Sequence, residues 1–219
     1  MNSDTSRIFD IIFAILAIII LTPLLLPIMI LLRFSGEKEV FYLQERVGLD
    51  QKTFRLIKFA TMKKNSPYIG TGTTTLKDDP RVLPLGHILR RTKINELPQI
   101  LNVLIGDMSL IGPRPLTPDK FILYSEKGQS ELSSIRPGLS GIGSIVFRNE
   151  DQLFTEDTDH EEFYSKVIAP YKEELETWYI KNRSLHNYFK LIIITIFAVI
   201  RPKTTLLTKW LRGVPTRSL

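Results

Sequence analysis

The sequence of 219 residues contains no cysteine. Disulfide bonds, thiolate catalysis and zinc or iron–sulfur centres with cysteine ligands are therefore excluded. Histidine is nearly as scarce, since the chain has His87, His160 and His186 alone and they lack the spacing of metal ligands. Internal repeats and low-complexity segments are also missing from the sequence. The length suits one domain with a hydrophobic core and one appendage, and it requires no second domain.

An excess of positive charge narrows the range of partners. The formal net charge is +6 at pH 7, which suits nucleic acid, the anionic face of a membrane or a substrate that carries phosphate. The lysines and arginines stand beside prolines, glycines and carboxylates, and not in a stripe interleaved with aromatic residues. We therefore expect no nucleic-acid partner.

A long uncharged run near the N-terminus indicates a membrane. Residues 11–32 read IIFAILAIIILTPLLLPIMILL, and about 20 such residues cross the hydrocarbon core of a bilayer as a helix. A cleaved signal peptide is disfavoured, because the residues before the run are weakly basic and no small-residue cleavage site follows it. The chain is therefore expected to contact membrane lipids.

Two prolines near the middle of this run leave its topology open. Pro23 and Pro27 each remove a backbone donor and disturb the preceding helical turn, and the Thr22 hydroxyl can bond back to a carbonyl that is left free. One interpretation is a kinked helix that spans the bilayer, and the other is a re-entrant helix-break-helix that enters and leaves on one face. Basic residues flank the run on both sides: Arg7, Arg33 and Lys38. This symmetry favours the re-entrant interpretation.

The rest of the sequence predicts a small α+β domain that is mainly helical. Residues 39–48 and 53–62 are typical of two strands that form a short β-hairpin around the turn GLDQK, and residues 63–79 are typical of a polar loop. Residues 150–183 have a charged helical pattern that Pro170 interrupts. The apolar residues 190–200 are too few to span a bilayer, so we expect a buried or an interfacial amphipathic helix.

Three regions follow from these patterns. We expect residues 1–36 to form a membrane-embedded re-entrant helical hairpin, residues 37–202 a globular domain, and residues 203–219 a basic C-terminal tail. The tail mixes leucines and Trp210 with lysines and an arginine, which fits an amphipathic helix on a membrane surface. A solvated tail is the alternative.

The stretch RRTKINELPQILNVLIGDMSLIGPRPL, residues 90–116, begins as an ordinary helix. Asn95 is a good N-cap residue and Gly106 a natural terminator, and Glu96 suits the positive end of the helix. The apolar residues predicted to share one face are Leu97, Ile100, Leu101 and Leu104. No catalytic role is needed to explain any of these features.

The end of the same stretch does require an explanation. Two glycines, two prolines, Asp107 and Arg114 crowd into GDMSLIGPRPL, which is costly for a simple connection. A helix N-terminus attracts phosphate, an arginine clamps it, and two carboxylates, Glu96 and Asp107, can share a divalent cation. These features together predict a pyrophosphate site. The glycine-rich turn 136–145, headed by Arg136, is a further candidate for contacting phosphate.

Over about residues 5–200, the chain resembles the bacterial sugar transferases, also called monotopic phosphoglycosyl transferases. The resemblance rests on the Thr-Pro break in the apolar run and on ordered motifs: RVG, KFATM, DPRV, the 27-residue stretch above, RPGLSG and WYIKNRSL. It implies transfer of a sugar-1-phosphate from a UDP-sugar to undecaprenyl phosphate, with Mg²⁺ and release of UMP. It also implies a place in the bacterial inner membrane with the catalytic domain, residues 37–202, on the cytoplasmic face, and a possible homodimer.

The resemblance also assigns roles to individual residues. In the family pattern, the aspartate of an Asp-Glu pair attacks phosphorus and the glutamate holds the metal. Carried over, Glu96 is the metal ligand and Asn95 stands at the position of the nucleophile. The implied phosphate and nucleotide contacts are Lys58, Arg90, Asp107 and Arg114. Pro23 would supply the break of a re-entrant segment.

Two residues depart from the family pattern: Asn95 replaces the aspartate, and Ala60 replaces an arginine. A neutral amide is a poor nucleophile toward phosphorus. Three explanations remain open, namely attack by Glu96, direct displacement between the two phosphates over Mg²⁺, or an inactive site. A membrane-bound regulator that binds nucleotide-sugars without turnover is the corresponding alternative function, and a structural membrane anchor leaves the Gly-Pro-Arg-Pro segment without a purpose.

Overall fold

The computed structural model describes residues 3–68, 79–148, 150–153, 160–200 and 206–217. Its elements are α1 (Ser3–Phe34), β1 (Phe41–Val47), β2 (Thr53–Phe59), α2 (Pro84–Arg91), a 3₁₀ helix (Ile94–Gln99), α3 (Ile100–Ile105), β3 (Ser109–Ile111), α4 (Pro118–Phe121), α5 (Glu126–Ser133), β4 (Gly138–Ser140), α6 (Ile142–Val146), α7 (His160–Phe163), a π-helix (Tyr164–Ile168), α8 (Ala169–Lys181), α9 (Leu185–Ile200) and α10 (Leu206–Trp210). The prediction of a mainly helical α+β chain is confirmed. Most of the predicted loop 63–79, and the predicted boundary at residues 202–203, lie outside the described residues.

The apolar run forms one uninterrupted helix, α1, with both prolines inside it. The expected separation into two helices is therefore not seen. As predicted, the Thr22 hydroxyl bonds back along the helix; it donates to the Ile18 carbonyl at 2.6 Å, next to the Ile19 carbonyl whose usual donor Pro23 lacks. Within the described residues, α1 is the one helix long and apolar enough to cross a membrane.

Both ends of α1 are fastened to the globular part. Near the start, the Arg7 guanidinium donates to the carbonyls of Val103 and Leu104, at 2.5 and 2.8 Å. The buried Asp10 carboxylate accepts hydrogen bonds from Ser109 Oγ, the Leu110 N–H and Tyr188 Oη. Near the other end, Leu32 is buried in one cluster with side chains of β2 and α2. The outward face of α1 between these anchors is apolar and exposed.

The hairpin predicted for residues 39–62 is confirmed. Strands β1 and β2 pair antiparallel, in a register that runs from Phe41 opposite Phe59 to Val47 opposite Thr53. Asp50 and Gln51 in the connection have positive φ values of 53° and 59°, a conformation that aspartate tolerates better than most residues do. The hairpin presents Leu56 and Phe59 to α1.

The helix of the 90–116 stretch begins differently from the prediction. Lys93, with a φ of 61°, precedes a 3₁₀ helix over Ile94–Gln99, and Asn95 lies inside this helix and not at its cap. Pro98 contributes to this difference, because it removes one of the two N–H groups that a cap at position 95 could use. The 3₁₀ period of three residues also changes the buried face, so Ile100 is buried whereas Leu101 is exposed. Gly106, at φ 105°, ends α3 as predicted.

The glycine-rich turn after residue 136 brings two segments of the main chain into close contact. Strands β3 and β4 pair in parallel, Ser109 with Gly138 and Ile111 with Ser140. A Cβ atom added to Gly138 would lie 2.1 Å from the Gly112 nitrogen, and one added to Gly141 would lie 2.1 Å from the Gly112 oxygen. These glycines permit a close backbone approach, so their place in the fold is to seat the loop that carries Arg114.

Helices α8 and α9 supply most of the main core. Pro170 does not interrupt the helical segment, because it lies in the first turn of α8, directly after the π-helix. One face of α9 is buried at Tyr188, Leu191 and Ile194, whereas Ile196 and Phe197 on the other face are exposed. The segment is thus buried on one side and apolar on the outer side.

The described part of the tail, residues 206–217, belongs to the same core. Leu207 and Leu211 are buried among side chains of the main cluster, and the Tyr171 hydroxyl donates to the Pro215 carbonyl at 3.1 Å. Leu207 and Leu211 therefore face protein. Trp210 on the other side is 36% exposed, and the prediction that this segment meets a membrane surface stays a prediction.

Candidate active site

An ion pair between Glu96 and Arg114 marks the centre of the candidate site. Glu96 lies in the first turn of the 3₁₀ helix, and Arg114 lies between two prolines in the loop after β3. Arg114 Nη2 is 3.4 Å from Glu96 Oε1, and the two side chains are 43% and 24% exposed. The structure therefore brings together two residues that the sequence predicted to share a site, and it leaves both open to a ligand.

Further basic side chains converge on this pair from the hairpin and from α2. Lys58 on β2 lies within electrostatic reach of both members of the Glu96–Arg114 pair, and Arg90 on α2 lies within electrostatic reach of Lys58. Arg46 on β1 joins them: it donates through Nη1 to the Pro115 carbonyl at 3.1 Å and through Nη2 to Gln44 Oε1 at 2.6 Å. Sequence reasoning quoted the RVG motif without assigning a role to its arginine.

The titration of these groups shows that positive charge prevails. Burial would raise the pKa of Glu96, but the charges of Arg114, Lys58 and Lys93 together lower it to about 2. Burial, followed by repulsion from Arg46, holds the pKa of Lys58 well below its usual value. Burial and the charge of Arg114 lower the pKa of Arg46 to about 10. The Glu96 carboxylate among these cations stays ionised, and the surrounding field favours an anionic ligand.

Asn95 lies beside this centre but is turned away from solvent. Its exposed fraction is 6%, and its Oδ1 has no hydrogen-bond partner among the described residues. An unpaired amide oxygen in a buried place is costly. This oxygen is therefore a candidate ligand for a hard cation.

Two predicted site residues lie at the opposite end of α3. Asp107 Oδ2 accepts from Asn102 Nδ2 at 3.2 Å, and the buried Asn102 also bonds to the main chain of β2 at Arg55 and Ile57. Arg136 Nε donates to the Gly106 carbonyl at 2.8 Å. Asp107 and Arg136 thus join α3 to its neighbours, and the structure does not bring them to Glu96.

A second polar group borders Arg114 on the side of α8. Lys172 Nζ lies 2.5 Å from Glu150 Oε2, and Lys120 Nζ stands 4.4 Å from the centre of the Tyr164 ring. The charge of Glu150 is felt at Arg114. Tyr164 is the first residue of the π-helix, and such helical irregularities are frequent at functional sites. No sequence motif singled out this group.

The oxygen ligands at the site suit a metal ion that binds together with the substrate of the enzyme. Within the described parts of the chain, no three histidine or acidic side chains lie together as a ready-made metal site. Magnesium, however, is commonly held by one or two carboxylates together with water and substrate phosphates. The Glu96 carboxylate and the unpaired Asn95 oxygen fit that smaller set, whereas the surrounding cations oppose a bare divalent ion.

Comparison with known proteins decides the class of this site. The sequence pattern described as bacterial sugar transferase matches residues 1–202. The chain belongs to that family. The exopolysaccharide production protein ExoY of Sinorhizobium fredii is 35% identical over 209 residues, which cover 89% of this chain and 85% of that protein. The family resemblance predicted from the motifs, and with it a phosphoglycosyl transferase enzyme, is confirmed.

Two longer relatives have names that state a reaction. The undecaprenyl-phosphate galactose phosphotransferase of Salmonella typhimurium is 31% identical to this sugar transferase. The UDP-glucose:undecaprenyl-phosphate glucose-1-phosphate transferase of Escherichia coli is 32% identical. The matches cover 89% and 90% of this chain but 40% of each relative, so the chain spans about two-fifths of these two proteins.

Proposed function

We propose that this enzyme transfers a sugar-1-phosphate from a UDP-sugar to undecaprenyl phosphate and releases UMP, as the first membrane step in assembly of a bacterial surface glycan. The observation that carries the proposal is the convergence of Lys58, Arg46 and Arg114 around Glu96, with Arg90 next to Lys58. Such a set of cations suits the diphosphate of a nucleotide-sugar. The names of the longer relatives support the same donor and acceptor classes.

In the proposed reaction an oxygen of the acceptor phosphate attacks the β-phosphorus of the donor. The new oxygen–phosphorus bond forms as the bond from the β-phosphorus to the bridging oxygen breaks, and UMP leaves with that electron pair. Arg114 and Lys58 stabilise the charge that develops on the leaving phosphate. Mg²⁺ would be held by Glu96 and the Asn95 oxygen, and when bound it supplies further neutralisation of the diphosphate.

We propose direct displacement, and not a covalent intermediate, because neither Asn95 nor Glu96 is a suitable nucleophile. Asn95 is neutral and has no anionic form at working pH. The Glu96 carboxylate, with a pKa of about 2, is ionised but is engaged by Arg114 and by the proposed metal. The acceptor phosphate is then the remaining nucleophile.

The decisive experiment measures UMP release by the detergent-purified enzyme with a panel of UDP-sugars, undecaprenyl phosphate and Mg²⁺. We expect release with at least one donor, dependent on both acceptor and metal. Absence of UMP with every donor would contradict the proposed function. Intact-protein mass spectrometry with donor alone tests the mechanism separately, because a mass gain of one sugar-phosphate would replace direct displacement by a covalent route.

We also propose that α1 is re-entrant in the inner membrane and that the catalytic domain lies on the cytoplasmic face. Support comes from the anchors at both ends: Arg7 and Asp10 bind α3, β3 and α9, and Leu32 packs on β2 and α2. If α1 crossed the bilayer as a straight helix, Leu32 would lie about 33 Å from Asp10 along the helix axis. Leu32 would then be on the membrane face opposite to the domain. Arg33, next to the second anchor, adds the basic flank of a cytoplasmic end.

A cysteine scan tests this topology cleanly, since the chain has no cysteine of its own. Ser3→Cys and the matched variant Glu37→Cys place single thiols at the first residue of α1 and just after its end. In intact cells we expect both to be protected from a membrane-impermeant thiol reagent and both to be labelled after lysis. Labelling of Ser3→Cys alone would establish a spanning helix, and labelling of both would place the domain outside. The family homodimer remains part of the proposal, and light scattering of the purified enzyme measures it.

A further inference from the structure

A buried carboxylate lies directly beneath the loop that carries Arg114. Glu176 on α8 is 3% exposed, and its Oε1 accepts the main-chain N–H of Arg114 at 3.4 Å. The main-chain N–H of Gly143 also faces this carboxyl group and lowers its pKa. The other oxygen, Oε2, is buried and has no hydrogen-bond partner among the described residues. The reaction proposed above gives Glu176 no part.

The glycines of the neighbouring turn make room for this carboxyl group. A Cβ atom on Gly143 would lie 2.4 Å from Glu176 Oε1, and one on Gly141 would lie 3.7 Å from Oε2. At position 143, any residue with a Cβ atom would therefore clash with the Glu176 carboxyl group. Glu176 is therefore seated against bare main chain, where it can reach N–H groups of two separate segments.

A half-buried charge of opposite sign holds the other side of the same loop. Arg46 on β1 donates to the Pro115 carbonyl at 3.1 Å, and the Val47 N–H donates to the Leu116 carbonyl at 2.9 Å. The main chain from Arg114 to Leu116 is thus gripped by α8 from one side and by β1 from the other. Its position sets where the Arg114 guanidinium stands relative to Glu96.

We propose that Glu176 is a positioning residue for Arg114, and that its ionised carboxylate draws the Arg114 main chain into the place where the side chain can clamp the donor diphosphate. The inference rests on the proposed function. The protonated carboxyl is a weaker acceptor for the N–H groups of Arg114 and Gly143, so the loop is held less firmly in that form. Donor binding then tightens when Glu176 loses its proton.

The surroundings place this titration near neutral pH. Burial raises the pKa of Glu176 to about 7, although the N–H groups of Arg114 and Gly143 and the charge of Lys172 lower it. The other titratable groups that face it are Tyr124, between α4 and α5, and Tyr179 on α8. Lys172 is already paired with Glu150. The donor adds no titration of its own in this range, because a UDP-sugar has no phosphate monoester.

The experiment compares the wild-type enzyme with Glu176→Gln, Glu176→Asp and the control Glu174→Gln from pH 5.5 to 8.5, at saturating acceptor. Glu174 is on the same helix but pairs with Arg217 at the surface. For wild type and control we expect the KM for the UDP-sugar to fall about tenfold as pH rises through 7. Glu176→Gln should keep a raised KM at every pH, and Glu176→Asp should raise KM but retain the pH dependence.

A merely structural role would give a different result. In that case Glu176→Gln would reduce the amount of folded enzyme. The KM of the folded fraction and its pH dependence would match those of wild type, and this result would overturn the inference. If Glu176→Gln does not fold, an unchanged KM in Glu176→Asp would overturn it equally.

A binding measurement separates this inference from the proposed function. Titration of wild type and Glu176→Gln with UDP-glucose requires no turnover. A wild-type affinity that rises with pH, and does not rise in the variant, supports the role of Glu176 even if no UMP is released. Identical pH profiles in both proteins would refute it even if transfer occurs.

Discussion

Replacing Glu96 by glutamine is the sharpest test of the site, since the change removes one charge and little else. The neighbouring cations lower the pKa of Glu96 from 4.5 to about 2 in spite of its burial. A difference of about 2.5 pKa units corresponds to about 3 kcal/mol in favour of the charged form. The protein therefore holds this carboxylate as an anion, and its cations depend on it for balance.

Stability and activity should both respond to Glu96→Gln. Because the folded pKa is below the unfolded one, Glu96 contributes stability above pH 4.5 and loses that contribution as pH falls from 4.5 toward 2. The variant should accordingly be less stable than wild type by up to about 3 kcal/mol, and by the same amount at pH 6 and pH 8. Loss of a charge that acts on the proposed metal and on the proposed diphosphate substrate should lower turnover by about a hundredfold or more.

Urea unfolding followed by circular dichroism measures the first effect, and UMP release per folded enzyme measures the second. Glu39→Gln is the matched control, because Glu39 forms an exposed ion pair with Lys64 at 3.3 Å and exposed pairs contribute little. Full activity in Glu96→Gln at saturating Mg²⁺ would return the 94–99 segment to a purely structural role. An equal loss of UMP release in Glu39→Gln would show that charge far from the site decides the rate.

Three other parts of the structure yield shorter tests. Arg114→Lys should lower turnover by about a hundredfold, because lysine lacks the planar fork that grips a phosphate; unchanged UMP release would show that bulk charge suffices. Asp10→Asn should lower the unfolding free energy in urea by about 1 to 3 kcal/mol, since three donors converge on its carboxylate, and an unchanged midpoint would show that α1 is held by apolar packing alone. Arg136→Met should reduce stability but leave the KM for the donor unchanged, because this guanidinium bonds to the end of α3; a raised KM would restore its predicted contact with phosphate. Asn95→Asp should reduce stability at neutral pH by burying a second carboxylate, and adding Ala60→Arg should recover part of the loss in the same unfolding measurement.

The secondary structure followed from the sequence where local pattern decides it. The hairpin at Phe41–Val47 and Thr53–Phe59 matches its alternating residues and its five-residue turn. Gly106 ends its helix, as a glycine with positive φ does. The cap at Asn95 was wrong, because Pro98 removes a donor that a cap would use and favours a tighter first turn. The packing of the tail could not be read from the sequence, because Leu207 and Leu211 contact a core that is remote in sequence.

The candidate site was predictable only in part, for a similar reason. Glu96 and Arg114 lie in one continuous stretch with a strong family pattern, and the structure pairs them. Arg46 and Glu176 come from distant segments in which each looks like one charged residue among many. Their importance comes from burial against the Pro113–Pro115 main chain, and no local pattern encodes that contact. Asp107 and Arg136 were chosen for their chemistry, but α3 keeps them apart from Glu96.

The two departures from the family pattern offset each other in charge. Asn95 removes one negative charge relative to the pattern, and Ala60 removes one positive charge, so the net charge around Glu96 is the same as in the pattern. Both positions are buried, at 6% and 7% exposure, and their sequence neighbours Ile94 and Phe59 pack in one cluster. A lone arginine or a lone aspartate there would leave a buried charge without its counterpart, which costs more than losing the pair. The joint replacement therefore argues for a site that has kept its electrostatic balance. The cations that remain, Lys58, Arg46 and Arg114, still meet Glu96, and this balance is what the proposed transfer from a diphosphate donor needs.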